Sequence, residues 1–273
     1  MNSTARIYKA ILDKAWLESL PSEDRIFFLT LAHILNEINS IYKLLYWTSD
    51  ISFESDLLAL GQLTFSRIAV TTLVGKLKEA REFLNDYNFF IKKNKNFEKY
   101  NMKMSQEGID AISNIHNYFR NKNFMGDIRN LTFHYPKSKN EHNRRTVDDG
   151  FSSVLPEELT LYLGKDDSSN DLYYFAEAVF ARALYKLVDD LDVIPDKLVD
   201  DSDVIPDKLT LAMIKLQKES IEVAGWFRQF GHAFIVAFLN EHGKPVWKEL
   251  AEEVESPSLE SFSDIKIPWF TDT

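Results

Sequence analysis

The chain has 273 residues, of which 45% are hydrophobic and 27% are charged, and its formal net charge is −10. This composition is ordinary for a soluble globular protein, and the negative charge argues against a protein that coats nucleic acid indiscriminately. The absence of cysteine excludes thiolate zinc sites and a cysteine nucleophile, and it suits a cytoplasmic protein. We find no signal-peptide pattern and no apolar run of membrane-spanning length, so we expect no membrane contact. The length suits one large domain or two small ones, and we predict a single domain over residues 1–273.

Apolar residues recur at helical spacing along most of the chain, which predicts an all-α fold, a helical bundle of about five to seven helices. The third predicted helix begins after Ser52 or Ser55, and the last contains a bend at Gly225 or Gly231. Ser22, Ser105 and Asp127 are the predicted N-caps of the second, fourth and fifth helices. The seven predicted helices cover approximately residues 4–19, 22–46, 52–90, 105–121, 128–133, 171–188 and 209–243.

Polar segments separate these helices and predict the loops of the protein. The lysine- and asparagine-rich stretch 92–103 is predicted to be a loop, and residues 137–156 are predicted to be irregular. Residues 158–164, "ELTLYLG", alternate between apolar and polar side chains and predict a short strand, a minor β hairpin element. The C-terminal tail that follows residue 254 is predicted to be extended.

The chain contains one internal repeat, in which "KLVDDLDVIPD" (186–196) is followed directly by "KLVDDSDVIPD" (197–207). Ten of the eleven positions match, which indicates a tandem duplication that lengthened an acidic surface loop. Two copies of the repeat are too few for a solenoid, which needs several stacked units. The aspartate spacing also lacks the "DxDxDG" pattern and the twelfth-position glutamate of a calcium loop, so we predict no calcium site and no metal.

The positive charges of the chain are concentrated between Ile91 and Arg145, where twelve basic residues and five acidic residues give a net charge of +7. One interpretation of this basic segment is a solvated face with a lysine-rich loop. The other is a surface for an anionic partner, and the motif that the segment contains favours this second interpretation.

That motif is "MGDIRNLTFHYP", residues 125–136, in which Pro136 limits any helix. Asn130 and His134 are four residues apart and share a helix face, so Asn130 can bond the imidazole and fix its tautomer. Arg129 lies about 140° away from His134 around an ideal helix and must approach from the flank or from a partner subunit. Guanidinium binds phosphate oxygens bidentately and imidazole moves protons near neutral pH, so the pair suits metal-free cleavage of RNA at the ribose 2′-hydroxyl. The structural alternative is that Arg129 pairs with an acid and His134 bonds a backbone carbonyl.

The residues "IRNLTFH" resemble the signature of the HEPN superfamily, R-x4-to-6-H with a polar residue directly after the arginine. The resemblance implies an all-α bundle, a metal-independent endoribonuclease without a cofactor, and a homodimer in which two motifs form one cleft. It also implies a place in toxin–antitoxin or phage defence, with an antitoxin or defence protein as partner. In this interpretation Arg129, Asn130 and His134 are catalytic, and RNA contacts come from Arg120, Lys122, Tyr135, Lys137, Lys139, Arg144 and Arg145.

One position departs from the family pattern. A toxin branch carries a tyrosine two positions after the histidine as a target of its antitoxin, whereas here Tyr135 follows His134 directly and Pro136 takes the other place. This departure puts that mode of regulation in doubt. Because some members of the family lack nuclease activity, a catalytically inactive helical binding or regulatory protein, such as an antitoxin partner or an assembly subunit, is the alternative function.

Three further pairs share helix faces and have weaker functional interpretations. Arg228 and His232 fall outside the signature spacing and are predicted to be a structural pair. His33 and Glu37 could ligate a metal, but no "ExxH" pair supports a di-iron bundle. His116 and Arg120 could contact RNA in the same cleft as the motif, or could be a solvated pair.

Overall fold

The computed structural model describes residues 7–9, 12–49, 56–87, 95–121, 123–133, 141–154, 174–189, 208–244 and 252–254. The helices in these ranges are α1 (Lys14–Ser19), α2 (Ser22–Ser49), α3 (Asp56–Asp86), α4 (Lys95–Asn101), α5 (Gln106–Arg120), α6 (Met125–Phe133), α7 (Glu141–Phe151), α8 (Tyr174–Asp189) and α9 (Lys208–Glu241). The predicted all-α class is confirmed. The nine helices of the described ranges exceed the predicted five to seven. None of them combines the length and the apolar composition needed to cross a bilayer.

Two three-residue strands, β1 (Ile7–Lys9) and β2 (Glu252–Val254), pair antiparallel, with Ile7 opposite Val254. The prediction of a helix over residues 4–19 was therefore wrong at its N-terminal end. Asp13 has an extended backbone and its side chain accepts the Ala15 amide hydrogen at 3.0 Å, which starts α1 only at Lys14. The described residues contain no hairpin, since β1 and β2 come from distant parts of the sequence. The predicted strand 158–164 lies outside the described residues.

Two short helices occur where the sequence predicted irregular structure. The predicted loop 92–103 contains α4, and the predicted irregular stretch 137–156 contains α7. Each of these segments carries only two large apolar residues, Phe97 and Tyr100 in α4 and Val147 and Phe151 in α7, so the sequence offers too few apolar positions to show a helical period. The structure of most of the duplicated segment 186–207 and of the tail 255–273 lies outside the described residues.

Contacts divide the chain into two compact units. Unit 1 comprises Met1–Ser40, Glu79–Asn121 and Val223–Ile265, and unit 2 comprises Ile41–Lys78, Lys122–Glu222 and Lys266–Thr273. Three of the five boundaries between them fall inside helices, namely inside α2, α3 and α9. These three helices therefore contribute residues to both units.

The core of unit 1 is an aromatic cluster around Phe27. Its ring stacks on Phe83 and meets Phe234 edge-on, with ring centroids 5.1 Å apart in both pairs. Close helix packing surrounds this cluster, because a Cβ atom at Gly231 of α9 would lie 2.3 Å from Leu35 of α2. The lack of a side chain at Gly231 therefore leaves room for Leu35. The helix α9 continues through Gly231 as one helix. Burial of these aromatic side chains stabilises the unit.

The helix α9 ends in a Schellman motif that fixes the position of His242. Gly243 has a φ of 73°, the left-handed conformation that favours glycine. The Lys244 amide donates to the Leu239 carbonyl oxygen at 2.8 Å, and the Gly243 amide donates to Asn240 at 3.4 Å. The His242 carbonyl oxygen accepts a hydrogen bond from the Trp16 indole at 3.1 Å. The sequence thus places His242 at a defined helix end.

In unit 2, α8 is held by α3 and α7. Arg67 of α3 donates through Nε to Oε2 of Glu177 on α8 at 2.5 Å, and its Nη2 contacts the same oxygen. Gly150 of α7 lies so close to α8 that an added Cβ would be 2.5 Å from the Val179 carbonyl oxygen. The glycine is therefore required by the approach of two helix backbones.

Lys215 on α9 is a buried cation of unit 2. Its side chain is 8% exposed, its Nζ has no hydrogen-bond partner among the described residues, and Glu219 lies 4.0 Å away. Burial lowers the pKa of Lys215, and Glu219 opposes this shift. Replacing Lys215 with methionine keeps the aliphatic stem and removes the buried charge. We expect Lys215→Met to raise the free energy of unfolding by about 1–3 kcal/mol, measured by urea denaturation.

The matched control for this substitution is Lys218→Met, because Lys218 is exposed on the same helix. We expect the control to change stability by less than about 0.5 kcal/mol. A loss of stability in Lys215→Met would show that the buried ammonium contributes a net favourable interaction.

Candidate functional site

The predicted catalytic motif begins on α6, whose start differs from the prediction. The helix begins at Met125, and the Asn123 side chain accepts the Met125 amide hydrogen at 3.2 Å. Asp127 is therefore not the N-cap. It lies exposed in the first turn, where a carboxylate interacts favourably with the positive end of the helix dipole.

Burial along α6 follows the helical period and sets the exposure of Arg129 and Asn130. Met125 and Ile128 are fully buried and anchor the helix. Arg129 lies about 100° further around the helix and is half-buried, and Asn130 lies another 100° around and is exposed. The arginine thus lies at the edge of the buried face, and the asparagine faces solvent.

The third predicted catalytic residue, His134, follows directly after Phe133, the last residue of α6. His134 lies outside the described residues, so its pairing with Asn130 stays a prediction. Most of the predicted RNA contacts also stay predictions, because their side chains are not described. Lys122, Tyr135, Lys137 and Lys139 lie outside the described residues, and of Arg144 and Arg145 only the backbone, in α7, is described.

Arg120, the remaining predicted RNA contact, is exposed at the end of α5 in unit 1, whereas α6 belongs to unit 2. His116 lies one turn before Arg120. Burial lowers the pKa of His116, and the charges of Arg81 on α3 and of Arg120 lower it further. Sequence reasoning missed Arg81, which is 9% exposed. Its position four residues after the buried Leu77, on the apolar face of α3, was the available signal.

Two lysines of the basic segment are engaged in ion pairs within unit 1. Lys99 Nζ lies 3.0 Å from Asp24 Oδ2, and Lys103 Nζ lies 2.6 Å from Glu241 Oε2. Both acids lie outside the segment 91–145. The charge that this segment presents to a partner is therefore smaller than its sequence charge of +7 indicates.

A buried polar cluster surrounds Tyr100, and we call Asp24, Lys99, Tyr100 and His242 the Tyr100 cluster. The Tyr100 hydroxyl lies 2.9 Å from Asp24 Oδ2 and 2.9 Å from His242 Nε2. Burial and the hydrogen bond to Asp24 raise the pKa of Tyr100, which keeps the phenol protonated. Sequence reasoning missed this cluster, because its members are 76 and 142 positions apart and share no local motif.

The structure does not strengthen the functional interpretation of the other two predicted pairs, His33 with Glu37 and Arg228 with His232. His33 Nε2 lies 3.9 Å from Glu37 Oε2 on α2, and the His33 side chain is 73% exposed. In the ranges that the structure describes, no group of three or more histidine or acidic side chains is placed to hold a metal ion. Arg228 is half-buried and His232 is exposed.

No family model matches this chain, and neither a curated protein nor a solved structure matches it. The resemblance to the HEPN superfamily therefore rests on residues 128–134 and on the helical fold.

Proposed function

We propose that the protein is a metal-independent endoribonuclease of the HEPN type. The observation that carries the proposal is the placement of Arg129 and Asn130 near the C-terminal end of α6. This helix is anchored by buried Met125 and Ile128, and it ends at the residue before His134. A half-buried arginine on a fixed helix has less side-chain freedom to lose when it binds a phosphate.

The proposed reaction needs one proton acceptor, one proton donor and a stabiliser of phosphate charge. An imidazole of His134 takes the proton of the ribose 2′-hydroxyl, and the 2′-oxygen attacks the adjacent phosphorus. The bond from phosphorus to the 5′-oxygen breaks, the leaving 5′-oxygen takes up a proton from a protonated His134 of the facing copy, and a 2′,3′-cyclic phosphate remains. Arg129 stabilises the negative charge that grows on the phosphate, and Asn130 orients His134. A second copy of the chain supplies the facing Arg129 and His134.

The basic side chains of residues 91–145 other than Lys99, Lys103 and the catalytic Arg129 are the groups that we assign to the RNA backbone. They include Arg120, Lys122, Lys137, Lys139, Arg144 and Arg145. Tyr135 is the aromatic residue that we assign to base stacking. The biological setting that we propose is toxin–antitoxin or phage defence, with the homodimer as the active form.

The direct test is incubation of the purified protein with a fluorescently labelled single-stranded RNA in the presence of EDTA. We expect cleavage of the RNA, and no cleavage of DNA of the same sequence, because the proposed nucleophile is the 2′-hydroxyl. Light scattering on the same sample is expected to give the mass of a dimer. If a folded, dimeric preparation leaves the RNA intact in EDTA, the nuclease proposal fails and a binding or regulatory protein is the better description.

A further inference from the structure

The Tyr100 cluster joins three helix ends of unit 1. It connects Asp24 in the first turn of α2, Lys99 and Tyr100 near the end of α4, and His242 after the end of α9. Lys103 and Glu241 form a second link between the segment after α4 and α9. Among the described side chains of α4, Lys99 and Tyr100 therefore hold the helix to the rest of unit 1 through these polar contacts and through the Tyr100 ring, which packs on Phe234 and Phe238.

The proton positions in the cluster follow from its donors and acceptors. A carboxylate only accepts, so the Tyr100 hydroxyl donates its single proton to Asp24. The Tyr100 oxygen must then accept from His242, so Nε2 of His242 carries the proton of the neutral imidazole. A second proton would go to Nδ1. It would leave these hydrogen bonds in place, but it would add a positive charge to a side chain that is only 16% exposed, beside acids that Lys99 and Lys103 already pair.

Charged groups from each helix of the cluster face His242. Asp24 Oδ2 from α2 lies 3.9 Å from Nε2, Lys99 and Lys103 come from α4 and the residues after it, and Glu241 precedes His242 on α9. Burial lowers the pKa of His242, with Lys99 and Lys103 adding to the shift and Asp24 and Glu241 opposing it. The neutral imidazole is therefore the form that the closed cluster prefers.

We propose that the Tyr100 cluster is a pH-sensitive latch, which holds α4 closed while His242 is neutral and loosens α4 when His242 takes up a proton. Opening the latch would separate Lys99 from Asp24 and Lys103 from Glu241. It would thereby add two free ammonium groups to the surface of the basic segment. The latch does not depend on the proposed nuclease activity.

The direction of the pH effect follows from the two protonation equilibria. In the open state His242 has an ordinary histidine pKa of about 6.5. The closed state has the lower pKa, so the open state binds more protons between these two values. As the pH falls below about 6.5, the closed state loses up to about tenfold in population relative to the open state for each pH unit. The population of the closed state stops falling at the pH at which His242 is protonated in the closed state as well.

Hydrogen exchange of the full chain, followed by mass spectrometry, tests the latch. We would measure peptides that cover α4 between pH 7.5 and 5.5 and correct the rates for intrinsic exchange. In the wild type, the protection of α4 is expected to be constant above about pH 6.5 and to fall by up to about tenfold per pH unit below it. His242→Gln retains an amide donor for the Tyr100 oxygen and does not titrate, so its α4 protection is expected to stay constant.

His116→Gln is the matched control, because among the described histidines His116 on α5 is the other one whose pKa burial lowers. This variant is expected to keep the pH-dependent exchange of α4. Constant α4 protection in the wild type, or an equal fall in His242→Gln, would overturn the latch. If His242→Gln does not fold, an NMR titration of His242 in the wild type decides the question. The hydrogen-exchange protection of α4 must stop falling at a pH equal to the measured pKa of His242. A measured pKa at or above 6.5 refutes the proposal.

Discussion

Replacing Arg129 with alanine is expected to lower the rate of RNA cleavage by about 10²–10³-fold, the usual cost of losing one stabilising donor in a transition state. Replacing His134 with alanine is expected to lower it by about 10²–10⁴-fold, because proton transfer then falls to solvent. The measurement is the cleavage rate of a labelled single-stranded RNA in EDTA at saturating enzyme. Arg129→Lys keeps the positive charge but loses the bidentate geometry, so an intermediate rate is expected.

Lys218→Ala is the activity control, because Lys218 is exposed on α9 and belongs to neither the motif nor the basic segment. Arg129 is half-buried, so circular dichroism and thermal denaturation must show that Arg129→Ala is folded before its rate is interpreted. Cleavage at the wild-type rate by both folded Arg129→Ala and His134→Ala would assign the activity to a contaminant or to another site. Mixing the two inactive variants adds a test of the dimer. Partial recovery of cleavage is expected if facing copies contribute the two side chains.

The second large effect is expected at Gly150, where alanine should lower the free energy of unfolding by about 1–3 kcal/mol through overpacking. An added Cβ would lie 2.5 Å from the Val179 carbonyl oxygen and 3.0 Å from the Ala183 amide nitrogen, both backbone atoms of α8. A rotamer change of a neighbouring side chain gives no relief from a backbone contact, so α7 and α8 must move apart. Urea denaturation of the wild type and the variant measures the difference.

Gly225→Ala is the matched control for this substitution. Gly225 also lies within a helix, α9, but an added Cβ would meet no atom within 4 Å. Alanine is expected to stabilise the protein there by about 0.5–1 kcal/mol, because glycine has the higher entropic cost in a helix. A Gly150→Ala variant as stable as Gly225→Ala would contradict the close approach of α7 to α8.

The helices that could be predicted from the sequence are those with strong local signals. The helix α5 begins after Ser105, as predicted, and the Ser105 side chain accepts the Gly108 amide hydrogen. The ends of the helices α8 and α9 lie within three residues of their predicted ranges, because both helices carry a long apolar face. These features depend on residues within one or two helical turns of each other, so the sequence determines them directly.

The features that could not be predicted depend on distant parts of the chain. The short helix α4 lies in a lysine-rich stretch with little helical periodicity, and contacts of Tyr100 with α2 and α9 hold it in place. The strand β1 replaces a predicted helix because Ile7–Lys9 pair with residues near the other end of the chain. Propensity is a weak influence that such tertiary contacts override.

The candidate site divides in the same way. The sequence by itself determined the order Arg129, Asn130, His134, the all-α class and the concentration of positive charge between residues 91 and 145. Only the tertiary structure decided that Arg129 is half-buried, that Lys99 and Lys103 form ion pairs with acids of α2 and α9, and that His242 meets Tyr100. The physical reason is that helical periodicity is written into neighbouring residues, whereas burial and charge pairing depend on which distant helices come into contact.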